Sequence, residues 1–241
     1  MKLSLYLFLF SLTLSSCALF KRNRVLKNKE LEKTEAGFNT FYYPSKIEDS
    51  KTLVVFFSGD GGWLDFDAEL CKKLAANGLK TLGINSRSYF WKERTPRATS
   101  KHLRELIRTY DHKINNIYLI GYSFGADITP FVYTGLPFFM KMRVKKLVLL
   151  SPFATTDFEV HLSDLMGSNA DDYKYNVRDE VARIKIPIYC FYGEGEEKAL
   201  DNITQKNFNL KILKGNHHYE TQESQKIIQA IIEKSNQKDE T

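Results

Sequence analysis

Cysteine, proline and long apolar runs are all scarce in this chain, and each scarcity excludes something. Three cysteines in 241 residues are too few for the disulfide framework that holds small secreted domains together. Six prolines and 13 glycines without a period exclude a collagen-like or low-complexity chain. The N-terminal apolar stretch Leu3–Leu14 would span about 18 Å as a helix, short of the roughly 30 Å hydrocarbon core of a bilayer. An acidic surplus is missing too, since 35 Lys and Arg outnumber 29 Asp and Glu for a formal charge of +6. What is present is 43% apolar residues, 13% of the chain being aromatic. That is enough to bury one sizeable core, and it excludes a disordered chain.

The first residues read as an address. Lys2, the apolar stretch and then Ser15 and Ser16 follow the pattern of a secretory signal. Leu14-Ser15-Ser16-Cys17 resembles the bacterial lipobox, whose cysteine is lipidated and becomes the mature N-terminus. The expected organisation is a signal peptide over residues 1–16, a lipidated Cys17 with a basic tether over 17–36, and a single domain over 37–241. Residues 18–35 carry six bases and three acids, net +3, which leaves only +2 for residues 36–241. The basic excess therefore sits beside the anchor, where it either docks on anionic lipid or acts as a solvated spacer. No groove-reading motif accompanies it, so nucleic acid is not an expected partner. The expected location is the bacterial cell envelope, facing the periplasm. Cys71 falls on a helix stripe and Cys190 in a central strand, which reads as two unpaired buried thiols.

The body alternates strand and helix. Thr52–Phe57 is a continuous β-branched and aromatic run, as expected of a strand buried on both faces. Leu79–Asn85, Asn116–Ile120, Val144–Leu150, Ile186–Tyr192 and Phe208–Leu213 read the same way. Between them Phe66, Leu70 and Leu74 recur at helical spacing, Thr95-Pro96 opens another helix, and Ile227, Ile228, Ile231 and Ile232 line a last one. Repeated β-α units predict an α/β fold with a mainly parallel central sheet and helices on both faces. The least regular segment, Phe153–Asn176, reads as a small cap-like insertion.

Directly after the Asn116–Ile120 strand stands Gly121-Tyr122-Ser123-Phe124-Gly125. Gly-x-Ser-x-Gly alone is weak, but a buried strand before it and a helix-compatible stretch after it make a nucleophile elbow, which aims the Ser123 oxygen out of the strand end. A serine hydroxyl needs a base, and the base an orienting acid, in the chain order Ser, acid, His for this fold. Gly193-Glu194-Gly195-Glu196-Glu197 and Gly215-Asn216-His217-His218 follow the last two strands, where ligands bind in open α/β sheets. Glu196 is the favoured acid, with Glu194 and Glu197 open, and His217 the favoured base, with His218 open. The oxyanion donors expected are the backbone N–H groups of Phe124 and of Asp60, in the loop Ser58-Gly59-Asp60-Gly61-Gly62-Trp63. That loop lacks the lysine of a phosphate loop. The two histidines are adjacent rather than four apart on a helix, so no zinc is proposed, and no other metal or cofactor is expected.

Four segments, SGDGGW, SYFWKERTP, GYSFGAD and GNHHY, together resemble the VirJ/AcvB family of bacterial envelope α/β-hydrolases over roughly residues 50–220. The resemblance implies a periplasmic serine hydrolase, with some relatives acting on aminoacyl-phosphatidylglycerol. It places the nucleophile at Ser123 and the histidine at His217 or His218. The aromatic motif departs from the family pattern, in which an arginine directly precedes Tyr-Phe-Trp. Here Ser88 stands there and Arg87 one residue earlier. Arg87, Tyr89, Trp91 and Arg94 are expected to line the substrate pocket, an arginine contacting a lipid phosphate, the competing reading being loop packing with an Arg–carboxylate pair. Asp127 and Asp60 would attract a cationic aminoacyl group or hydrogen-bond their own turns. The expected function is hydrolysis of an envelope ester, first an aminoacyl-phosphatidylglycerol. The alternative is a noncatalytic envelope or secretion factor, with envelope proteins as partners.

Overall fold

A computed structural model describes residues 32–33, 37–110, 114–161 and 173–233. The signal stretch, Cys17 and most of the tether lie outside the described residues, as does the middle of the cap-like segment. Among the described residues there are ten strands: β1 (Glu32–Lys33), β2 (Asn39–Tyr43), β3 (Thr52–Phe57), β4 (Lys80–Ile84), β5 (Asn116–Tyr122), β6 (Val144–Leu150), β7 (Thr155–Thr156), β8 (Tyr175–Asn176), β9 (Ile188–Gly193) and β10 (Phe208–Leu213). Eight form one sheet in the order β1-β2-β4-β3-β5-β6-β9-β10. β4, β3, β5, β6, β9 and β10 run parallel, while β2 pairs antiparallel with β4 and β1 with β2. β1 lies in the stretch read as tether, so the end of that stretch joins the sheet. β7 and β8, from the two described ends of the Phe153–Asn176 segment, make a separate antiparallel ribbon. The fold is that of an α/β-hydrolase.

The burial of β3 shows why the strands read as unbroken apolar runs. Leu53, Val55 and Phe57 face one core with the helix Pro96–Tyr110 and the helix Phe124–Thr134. Val54 and Phe56 face the other, with the helix Asp65–Ala76 and the helix Ser224–Ile232. A strand covered on both faces has no polar side to present. The Thr95 hydroxyl caps the Pro96–Tyr110 helix by accepting from Ala98 N–H at 3.2 Å, with Pro96 in the first turn as expected. Cys71 and Cys190 are both buried and unpaired, one on a helix and one in β9.

Two features of the second core depart from simple apolar packing. Lys146 in β6 is buried, with its Nζ donating to the carbonyls of Ile231 (2.9 Å) and Glu233 (2.8 Å). It thus satisfies the end of the last helix with a charge of the favourable sign, flanked by the rings of Tyr118 and Tyr189. Trp63 is fully buried, stacked on Phe41 at 4.4 Å and edge-on to Phe56. Its ring lies over Gly83 so closely that any β-carbon there would collide with it. Gly83→Ala should therefore destabilise the protein by about 1–3 kcal/mol or more. The check is a lower urea midpoint at unchanged slope, together with red-shifted tryptophan emission. An unchanged midpoint would show that Trp63 can move aside.

Candidate active site

The parallel strands all end on one edge of the sheet, and every chemically interesting loop leaves from there. β3 is followed in sequence by β4 on one side and by β5 on the other, so the crevice between β3 and β5 is the topological switch point where such sheets bind ligands. Ser123 follows β5 at that point. Its backbone takes φ 53° and ψ −127°, a region unfavourable for a residue with a side chain. The flanking glycines are dictated by contact: a β-carbon on Gly121 would strike the Gly125 carbonyl, and one on Gly125 would strike the backbone of Phe57 and Ser58.

Ser123, His217 and Glu196 come together across 94 residues of chain. Ser123 Oγ lies 2.9 Å from His217 Nε2, and His217 Nδ1 lies 2.9 Å from Glu196 Oε2. Glu194 and Glu197 are exposed and do not take part in this chain of contacts. The His218 ring instead meets the Tyr122 hydroxyl, 2.8 Å from its Nδ1, and the same hydroxyl donates to the His217 carbonyl at 2.9 Å. Of the acids and bases left open, Glu196 and His217 are the two that this line of contacts from Ser123 includes.

Glu196 is held from several directions. Its Oε1 accepts from Ser151 Oγ at 2.6 Å and from the Gly193 N–H. Burial by itself would raise this carboxyl. Hydrogen bonds from His217, Ser151 and Gly193 outweigh burial and hold it below the ordinary carboxylate range. Ser151, at the end of β6, has φ 52° and also meets the Tyr219 hydroxyl at 2.6 Å. Sequence reasoning missed Ser151 and Tyr219. The available signal was position: Ser151 stands one residue past a buried strand, on the edge where the other loops cluster.

The loop after β3 abuts Ser123, for a β-carbon on Gly59 would lie 3.3 Å from Ser123 Cβ. Gly62 N–H closes this turn onto the Gly59 carbonyl at 3.2 Å. The Asp60 carboxylate accepts from Gly61 N–H at 2.9 Å, so it serves its own turn. The Asp60 N–H makes no hydrogen bond among the described residues. The helix Phe124–Thr134 begins immediately after Ser123, which leaves its first N–H groups without intrahelical partners.

Three of the expected pocket residues are placed elsewhere. Tyr89 is buried, stacked on Phe38 at 4.0 Å with its hydroxyl 2.6 Å from His102 Nδ1. Its ring belongs to the core rather than to a pocket. Arg94 lies over that ring at 4.8 Å and donates from Nε to the Tyr89 carbonyl at 3.3 Å, which fastens the loop. Asp127 is buried and accepts from Phe153 N–H at 2.6 Å, neither exposed to a cation nor bonded to its own turn. Burial pushes its carboxyl well above the ordinary range, the Phe153 bond offsetting part of this. Phe153 in turn places its ring 5.6 Å from the His217 ring, so Asp127 acts on the site through Phe153. Arg87 and Trp91 do line a cavity, with Asn85 and Ser88. No carboxylate pairs with Arg87 among the described residues.

A family model described as bacterial virulence protein (VirJ) matches residues 51–239. The chain belongs to the VirJ family. No curated protein matches the sequence closely enough to count as a relative. Among solved structures, this VirJ-family chain is similar to Est1E from Butyrivibrio proteoclasticus, at 15% identity and a TM-score of 0.58 over 83% of this chain and 94% of that one. It is also similar to the thioesterase domain from the curacin biosynthetic pathway, at 12% identity and a TM-score of 0.60 over 86% and 99% of the two chains. A third likeness is to the esterase EaEST from Exiguobacterium antarcticum, at 13% identity and a TM-score of 0.57 over 84% and 97%. At such identities the likeness shows the fold.

Behind the Asp60 loop, the VirJ-family chain buries a second carboxyl. Asp67 is fully buried, with Oδ2 accepting from Leu64 N–H at 2.8 Å and Oδ1 without a hydrogen-bond partner among the described residues. Burial pushes it up to about 8 from 3.8, the Leu64 bond offsetting part of the rise. Between these values the folded protein holds a proton that the unfolded chain has released, so this group's contribution to stability falls as pH rises from about 4 to 8. Asp67→Asn should remove that loss while keeping an acceptor for Leu64. Urea midpoints taken at both ends of the window should fall with pH more in the wild type than in the variant. Parallel changes in the two proteins would assign the pH dependence to other groups.

Proposed function

We propose that this protein is a serine hydrolase of carboxylic esters that works through Ser123, His217 and Glu196. The observation that carries the reading is the continuous hydrogen-bonded line from Ser123 Oγ through both ring nitrogens of His217 to Glu196, with 2.9 Å at each step. His217 Nε2 takes the hydroxyl proton as Ser123 Oγ attacks the ester carbonyl. Glu196, kept ionised by its three donors, orients the ring through Nδ1–H and stabilises the imidazolium that forms. The N–H groups of Phe124 and Asp60 stabilise the oxyanion. Collapse of the tetrahedral intermediate breaks the C–O bond, and His217 returns its proton to the leaving alcohol. The acyl group then remains on Ser123. Water, deprotonated by His217, repeats the sequence and releases the acid.

The substrate we propose is an envelope ester, with aminoacyl-phosphatidylglycerol first. This follows from the resemblance to VirJ/AcvB hydrolases together with the lipobox-like Leu14–Cys17 segment and the basic stretch after it. In this reading Cys17 carries the lipid, and the domain works at the periplasmic side of a membrane.

A fluorophosphonate probe should label the wild-type protein and leave Ser123→Ala unlabelled. Hydrolysis by Ser123→Ala should fall by at least about a thousandfold, and by Glu196→Gln by about 10³–10⁴-fold. Failure of labelling, or equal labelling of Ser123→Ala, would reject the triad and favour the noncatalytic binding factor. For the substrate, envelope lipids incubated with wild type and with Ser123→Ala should differ by loss of aminoacyl-phosphatidylglycerol. Persistence of that lipid while another ester disappears would retain the hydrolase and replace the substrate.

A further inference from the structure

The segment following β4 builds a second feature beside the reaction centre. Arg87, in the short helix Ser86–Tyr89, runs its stem along Gly62, where an added β-carbon would lie 3.5 Å from Arg87 Cδ. Gly62 and Gly59 are the two ends of the turn that abuts Ser123, and the ends of such a turn are less than about 7 Å apart. Arg87 and the nucleophile therefore flank one turn. The Arg87 guanidinium sits over the ring of the half-exposed Trp91, 5.7 Å from its centroid. With Asn85 and Ser88 the two line a cavity of about 310 Å³.

The polar inventory of that cavity is one-sided. A guanidinium offers five N–H donors and no acceptor, and among the described residues Arg87 meets neither a carboxylate nor a carbonyl. Asn85 Oδ1 already accepts from Ser88 N–H at 3.2 Å, and the Ser88 hydroxyl donates to the Asn85 carbonyl at 2.9 Å. This leaves the Asn85 side-chain NH₂ as a further free donor among the described residues. Arg94, in contrast, is already committed to the Tyr89 ring and carbonyl. Donors with one fixed positive charge, backed by an indole, complement an anion. The planar guanidinium fork matches two oxygens of a phosphate or carboxylate.

We propose that the cavity of Asn85, Arg87 and Trp91 is a subsite for an anionic oxygen group carried by the ester substrate, with Arg87 as the specificity-determining residue. The proposal rests on Ser123 being the nucleophile, so its test reads binding without turnover. Full-length Ser123→Ala is titrated with glycerol 3-phosphate, with glycolate and with neutral glycerol, by calorimetry and by tryptophan emission. Saturable binding of glycerol 3-phosphate or glycolate is expected, with none of glycerol, and which anion binds more tightly distinguishes a phosphate subsite from a carboxylate one. Adding Arg87→Gln should weaken that binding by about tenfold or more. Adding Trp91→Phe should abolish the emission change, since Trp63 is buried elsewhere. Should Arg87→Gln fail to fold, Arg87→Lys keeps the charge, loses the fork and is expected to bind several-fold more weakly. Undiminished affinity in a folded Arg87 variant, or no anion binding at all, overturns the proposal. Fluorophosphonate labelling of the wild type is scored separately: anion binding without labelling sinks only the catalytic reading, and labelling without Arg87-dependent binding sinks only the subsite.

Discussion

The left-handed backbone at Ser123 is a conformation costing about 1–3 kcal/mol for a residue with a β-carbon, and the surrounding structure holds it from several sides. Ser123 N–H donates to the Leu150 carbonyl at the end of β6, while the Ser123 carbonyl accepts from Ala126 and Asp127 N–H in the first helical turn. Gly125 is pressed against the backbone leaving β3. One turn thereby ties together the ends of β3, β5 and β6. The loop after β3, the Ser123 side chain and Ser151 all take their positions from it. Were the turn to relax, the helix would lose its approach to the sheet and the serine its aim into the crevice.

Around that turn, polar groups are used with little left over. Ser151 grips Glu196 and meets Tyr219, Tyr122 holds both the carbonyl of His217 and the ring of His218, and Asp127 fixes Phe153 beside the His217 ring. These residues do not touch the Ser123 hydroxyl. They determine instead where His217 and Glu196 can be. A half-buried carboxylate is costly unless its oxygens are satisfied, and Glu196 has three donors for two oxygens. Arg87 stands out against this background because its donors meet no acceptor among the described residues.

Much of the fold could be read from single segments. The six parallel strands, the helices between them and the elbow were legible because a strand buried on both faces must be apolar throughout and a helix must repeat near every third or fourth residue. β2 was not legible. Asn39–Tyr43 is short and mixed in polarity, and it becomes a strand by pairing with β4, far along the chain. β1 is a two-residue pairing of the same kind. The site divided similarly. Ser123 announced itself through its glycines, whereas Glu196 was favoured over Glu194 and Glu197 by position only, and the structure adds that its carboxylate is the one turned inward to Gly193 and Ser151. Tyr89 looked like a pocket residue because an aromatic cluster reads alike whether it lines a cavity or fills a core. Asp127 was misread because its partner, Phe153, lies 26 residues away.

The amino-acid sequence alone therefore determined the fold class, the elbow and the edge of the sheet on which chemistry would gather. Each depends on periodicity or on contacts within a few residues. Tertiary structure alone decided which histidine meets Ser123 and which glutamate meets that histidine. It also decided which buried side chains support them, and that Arg87 rather than Tyr89 or Arg94 faces a cavity. Those outcomes turn on distances between strand ends brought together by a buried sheet, and no local pattern in the chain encodes such distances.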